Sequence, residues 1–142
     1  MQYQPMYFRI EELVSPEIIN TPPFDSRKDL LWWLFDDRIL ITADRLRGRY
    51  GRMLCNTWLW GGSTKYRGFR PSGCPVGSKW SQHKFGRALD LVPLDTGVDD
   101  IRANIINGED REAHKYVTAI ELKVSWLHLD CRNNTGLLKF SP

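Results

Sequence analysis

The sequence predicts a small α+β domain, an antiparallel sheet with helices packed on one of its faces. Apolar residues recur at helical spacing in two separate segments, over 27–50 and over 101–107. Two short runs, RALDLVPL (87–94) and SWLHLDC (125–131), alternate with period two instead. A chain of 142 residues is the size of one ordinary domain, which buries roughly 70% of its unfolded surface around one core. The whole of 1–142 is therefore expected to be a single domain, with an arm over 1–24 and a body over 25–142.

The opening YFRIEELVSPEIINTPPF carries Pro16, Pro22 and Pro23, which forbid a continuing helix and predict an extended arm laid over the body. Asp25 or Ser26 can cap a helix in which Leu30, Leu31, Leu34, Ile39, Leu40, Ala43 and Leu46 share a face. The bulky run at 32–35 invites a break near Asp36 and Asp37, and Gly51 ends the segment. MLCNTWLWGG then predicts a strand closed by a glycine turn. The loop STKYRGFRPSGCPVGSKW holds three Gly and two Pro; loops of this length inside a compact domain are usually functional.

In RALDLVPL the alternation puts Ala88, Asp90 and Val92 on one face and Leu89 and Leu91 on the other. Asp99 and Asp100 can cap a helix over IRANIING that stops at Gly108, and EDREAHKYVTAIEL predicts another with Ala113, Val117 and Ile120 inward. SWLHLDC sets Trp126, His128 and Asp130 opposite Leu127, Leu129 and Cys131. The tail NNTGLLKFSP predicts irregular structure.

Composition narrows the function classes. A net charge of +3 is too small for a dedicated nucleic-acid binder, and the run RLRGRYGR (45–52) reads as a solvated helix face. The chain has no apolar run of about 18 residues and no basic stretch followed by an apolar one near its start, so neither a membrane span nor an export signal is expected. Synthesis in the cytoplasm is the matching expectation. Three widely spaced cysteines, Cys55, Cys74 and Cys131, indicate neither a disulfide framework nor a zinc knuckle, and reduced, partly buried thiols are expected. Six Trp imply a dense aromatic core or a groove for flat or sugar-like groups.

Asp90 and His128 occupy inward positions of apolar strands, where an unpartnered charge is costly. His83, just upstream, can supply a third corner, with Gly86 allowing a tight turn and Ala88 leaving space beside Asp90. Two imidazoles and a carboxylate are a common ligand set for a catalytic zinc, which lowers the pKa of water and polarises a carbonyl. Spacing alone is equally compatible with hydrogen-bonded histidines and a turn-capping aspartate. His114, on a predicted helix, is expected at the surface.

The segment WSQHKFGRALDL resembles the SxHxxGxAxD signature of the D-alanyl-D-alanine carboxypeptidase family of zinc peptidases, and SWLHLDCR resembles its second box, a Trp-x-His strand. That family includes phage endolysins that cut L-alanyl-D-glutamate bonds and is related in fold to the hedgehog signalling domain. YFRIEEL with NTPP is similar to the N-terminal arm of phage-associated members, and NTWLWGGSTKYRGFR to the strand and arginine-bearing loop before the first box, so the likeness spans nearly the whole chain. It implies a hedgehog/DD-peptidase-like fold with a zinc cleft on the sheet face opposite the helices.

The resemblance further implies that His83, Asp90 and His128 hold Zn2+, that Arg67 or Arg70 meets the substrate carboxylate, and that Ser81 and Trp126 of the two boxes contact substrate. The pattern departs at the catalytic base. Many members carry Glu or Asp about three residues before the second histidine, where this chain has Ser125. Glu121, seven before, is the candidate base, with Asp130 in reserve as base or as an orienter of His128. The implied activity is hydrolysis of peptide bonds in peptidoglycan stem peptides, as carboxypeptidase or endopeptidase, in a phage-associated product acting on the cell wall or in a virion. The competing expectation, kept open by Ser125, is a non-catalytic zinc-containing module that binds the wall or assembles into a particle. No nucleic acid and no membrane partner are expected.

Overall fold

The computed structural model describes residues 2–142. Five strands, β1 (Met53–Leu54), β2 (Ala88–Pro93), β3 (Ala119–Glu121), β4 (Leu127–Asp130) and β5 (Leu138–Phe140), form one sheet in the order β1-β2-β4-β3-β5. Four α-helices accompany it: α1 (Pro16–Ile19), α2 (Asp37–Tyr50), α3 (Val98–Asn107) and α4 (Arg111–His114). The class is α+β, as expected, but the sheet is mixed. Its first three pairings are antiparallel, whereas β5 runs parallel to β3. The chain leaves β4, turns back and passes β3 before pairing, so a strand opposed to β4 necessarily runs with β3.

The predicted helix over 27–50 divides where the bulky run was expected to break it. Lys28–Leu34 is 3-10 helix, and α2 starts afresh with Asp36 as its N-cap, accepting from the Arg38 amide at 2.9 Å. Ile39, Leu40, Ala43 and Leu46 of α2 are buried in one core cluster with Leu89 and Leu91 of β2, Leu127 and Leu129 of β4, Ile120 of β3 and Ile101 and Ile105 of α3. Gly51 ends the helix.

Other expectations are corrected. The arm is not an extended overlay: it forms a 3-10 turn (Ile10–Glu12) and α1, and buries Phe8, Ile10, Leu13, Val14, Ile18 and Ile19 in the core. MLCNTWLWGG is a strand only over Met53–Leu54. Buried Asn56 turns the chain to bond the Val14 carbonyl and the Arg67 amide, and Trp58–Trp60 coils as 3-10 helix. The N-cap of α3 is Gly97, with Asp99 and Asp100 in its first turn. EDREAHKYVTAIEL is helical only at Arg111–His114, because Ala119 and Ile120 pair with Asp130 and Leu129 of β4. The tail supplies β5.

His114 is buried, one ring nitrogen against the Glu109 carbonyl. The arginines of 45–52 are not merely solvated. Arg45 donates to the Glu112 carbonyl, Arg47 lies over the Phe8 ring, Arg49 pairs with Asp110 and Arg52 with Asp95. The three cysteines are free and buried. No helix among the described residues is long and apolar enough to cross a membrane.

Candidate metal centre

The strand pairing of β2 with β4 sets Asp90 directly opposite His128, so the two side chains leave the sheet on the same face. His83 reaches them from a 3-10 turn, Gln82–Phe85, that ends at Gly86 with φ 66°. A Cβ at Gly86 would overlap the Leu34 carbonyl, with its carbon 2.8 Å away and Phe35 Cα 2.9 Å away. That close approach, together with the left-handed backbone, requires glycine here. The Gly86 carbonyl then accepts from the Asp36 amide at 2.9 Å, tying the turn to the start of α2.

Three ligand atoms converge as a result. His83 Nε2 lies 3.4 Å from Asp90 Oδ1 and 3.4 Å from His128 Nδ1, and His128 Nδ1 lies 2.7 Å from Asp90 Oδ1. Ligand atoms placed tetrahedrally around a zinc-sized ion are about 3.3 Å apart, close to the two longer separations; the third is a hydrogen bond that an ion would replace. His83, Asp90 and His128 are all buried, and this group can hold a metal ion.

The surroundings prepare each donor. His83 Nδ1 donates to the Gly68 carbonyl at 2.8 Å, which leaves the Nε2 lone pair facing the other two groups. Burial lowers the pKa of His83 and favours the neutral ring. Burial alone would raise that of Asp90, but its hydrogen bonds to His128 and His83 outweigh this and hold the carboxyl well below its ordinary range. For His128, burial opposes protonation, yet the bonds to Asp130 and Asp90 prevail and push its pKa up to about 9. A cation at Nδ1 would take the place of that proton.

Asp130 sits on the far edge of the His128 ring. It is 0% exposed, faces Nε2 at 3.1 Å and is gripped by Arg132 through Nε at 2.7 Å and Nη2 at 2.5 Å. Oδ2 thus meets both the His128 ring and Arg132, while Oδ1 accepts from the Arg132 amide and Nε.

Glu121 follows Ile120, the partner of Leu129, and so stands beside His128 at the end of β3. Its Oε2 is 3.9 Å from His128 Nδ1, and its side chain is 15% exposed. An open cleft of about 410 Å³ adjoins the cluster, with Glu121, Ser81, Trp126 and Arg70 among its walls. Trp126 is held from behind, since buried Arg102 of α3 donates to its carbonyl and to that of Val124, both at 2.8 Å.

The two loop arginines separate. Arg70 is buried, with Nη2 3.2 Å from Asp90 Oδ2, Nε 2.7 Å from the Tyr66 carbonyl and Nη1 3.5 Å from Ser81 Oγ. It balances the charge of Asp90. The Arg67 backbone bridges Asn56 Oδ1 and the Asp90 amide, while its half-buried side chain lines a second depression shared with Arg70, Asp90 and Trp126.

Sequence reasoning missed two contributors: Asn56, which seats the loop, and Phe140, whose ring stands edge-on to His128 with centroids 5.5 Å apart. It also passed over Arg132, although the SWLHLDCR box contains it. An asparagine inside an apolar stretch was the one available signal. Compared with protein-family models, curated proteins and solved structures, the chain returns no match in any of the three.

Proposed function

We propose that the protein is a zinc-dependent hydrolase of amide bonds in peptidoglycan stem peptides. The observation that carries this reading is a buried His-Asp-His cluster with a carboxylate, Glu121, beside it at the wall of an open cleft. The resemblance of WSQHKFGRALDL and SWLHLDCR to the two boxes of the D-alanyl-D-alanine carboxypeptidase family supplies the substrate class.

In this reading His83 Nε2, Asp90 Oδ1 and His128 Nδ1 hold the ion. Bound zinc supplies Lewis acidity, acidifying water and polarising the scissile carbonyl. Glu121 accepts a proton at Oε2 from the attacking water and returns it to the leaving amine nitrogen. Asp130 holds the His128 ring through Nε2, and the Gly68 carbonyl holds His83 through Nδ1, so both imidazoles stay in the ligand tautomer. Arg67 is the cation left to meet a substrate carboxylate, because Arg70 is spent on Asp90.

Digestion of isolated cell wall followed by mass analysis of the fragments tests the reading. The zinc-loaded protein releases fragments cut within the stem peptide, and Glu121→Gln keeps its zinc while losing roughly 100-fold or more in turnover. Wall binding without any cleavage would favour the non-catalytic module instead.

A further inference from the structure

The turn that carries His83 ends on Phe85, and Trp80 stands just before it; the core has no use for either ring. Trp80 is 69% exposed and Phe85 44% exposed, yet their planes are parallel to within 4° with centroids 6.5 Å apart. Isolated exposed apolar side chains are ordinary, whereas a paired aromatic surface beside a cleft marks a contact site. Trp80 itself lines the metal cleft, in company with Ser78, Ser81 and Gln82. Each ring also carries a cation, with Lys79 Nζ 5.2 Å from the Trp80 centroid and the Arg87 guanidinium 5.5 Å from that of Phe85.

We infer that Trp80 at the cleft wall and the parallel ring of Phe85 beside it form a saccharide platform, against which pyranose units of the glycan strand stack while the attached peptide enters the metal centre. The identity of the sugar as a wall glycan rests on the hydrolase reading above; the platform rests on the rings and their setting. A pyranose presents a flat face of C–H bonds to an aromatic ring and hydroxyl and acetamido groups around its rim. Hydroxyl and amide side chains at 78, 81 and 82 supply the partners for that rim.

Single-stranded nucleic acid also stacks on exposed aromatic rings, but it needs a continuous track of cations for its phosphates. Here the cleft beyond Trp80 is walled by Asp90 and Glu121 together with Arg70 and Arg132, and these two arginines are already paired with Asp90 and Asp130. Of the basic run, Arg47, Arg49 and Arg52 face carboxylates of the chain itself.

The test is calorimetric titration of the intact, zinc-loaded protein with N-acetylglucosamine oligomers, alongside an oligonucleotide of thymidines. Saturable binding of the saccharide is expected, weakened about three- to tenfold by Trp80→Ala or Phe85→Ala, the scale of one aromatic contact, and lost in the double variant. The same titration on Glu121→Gln separates binding from cleavage. If that variant and the wild type bind the saccharide through both rings but no wall preparation is cut, the hydrolase reading fails and the platform stands. Absence of saccharide binding, equal binding by all variants, or oligonucleotide binding through these rings in place of saccharide would overturn the platform, whatever the activity.

Discussion

Substituting Gly68→Ala probes how the loop holds the candidate metal centre without touching any of the three residues that could ligate an ion. A Cβ at Gly68 would overlap the Leu13 carbonyl, with the Leu13 carbonyl carbon 2.7 Å away and its Cα 2.9 Å away. Ordinary carbon–carbon contact begins at ~3.5 Å, and the carbonyl oxygen is closer still, so the two backbones must part by more than about 0.8 Å. The nearby bond from the Phe69 amide to the Leu13 carbonyl, 2.8 Å long, resists that movement. So does Asn56, anchored to the Val14 carbonyl and the Arg67 amide.

The Gly68 carbonyl would move with the loop, stretching its 2.8 Å bond to His83 Nδ1 past the ~3.2 Å limit of a good N–H···O bond. Overpacking of this kind costs about 1–3 kcal/mol of stability, and losing the partner of a ligand histidine costs about 10–100-fold in metal affinity. Urea unfolding and competition with a zinc chelator measure the two losses. Ile101→Val, a fully buried deletion of one methylene group in the core, costs about 0.5–1.5 kcal/mol and serves as the control, with zinc affinity unchanged. Wild-type zinc affinity in Gly68→Ala would refute the claim that the arm and loop position His83.

Asp130→Asn is expected to weaken zinc binding about 10–100-fold while keeping turnover at saturating zinc, the reverse of Glu121→Gln; the opposite pattern would make Asp130 the base. Arg67→Ala should abolish any preference for muropeptides with a free over an amidated carboxylate, at little cost in stability. Arg70→Ala breaks the buried pair with Asp90 and should lower the stability of the metal-free protein by about 3 kcal/mol in urea unfolding. Tyr3, which donates to Asp44 Oδ2 at 2.7 Å, has its phenol pushed up to about 12 by burial and by Asp44. A raised acid pKa favours the folded state while the group is protonated, so this stability is present below pH ~10 and lost as pH rises towards 12. Tyr50 shifts in the same direction, so Tyr3→Phe should shrink, without abolishing, the alkaline loss seen in pH-jump unfolding.

The residues most legible in the sequence were those that broke a local rule. A carboxylate and an imidazole at inward positions of apolar strands need partners, and Asp90 and His128 do face each other across β2 and β4. The break at Asp36 was equally legible, because bulky aromatics crowd a helix that an aspartate can restart. Less visible was whatever long-range pairing decides. Ala119–Glu121 carries the apolar spacing of a short helix as readily as that of a strand, and β4 settles the matter by pairing with it. Leu138 and Lys139 of β5 are exposed, so no buried face announced the strand. The division of labour between Arg67 and Arg70 depends on which guanidinium reaches Asp90, and spacing contains no such information.

The most direct measurement is release of new amine groups from purified cell wall as zinc is titrated into the metal-free protein. Cleavage should rise in proportion to added zinc and level off at about one equivalent per chain, with His128→Ala giving no release at any zinc level. No cleavage at saturating zinc, or cleavage that persists undiminished in the chelated protein, would contradict the account.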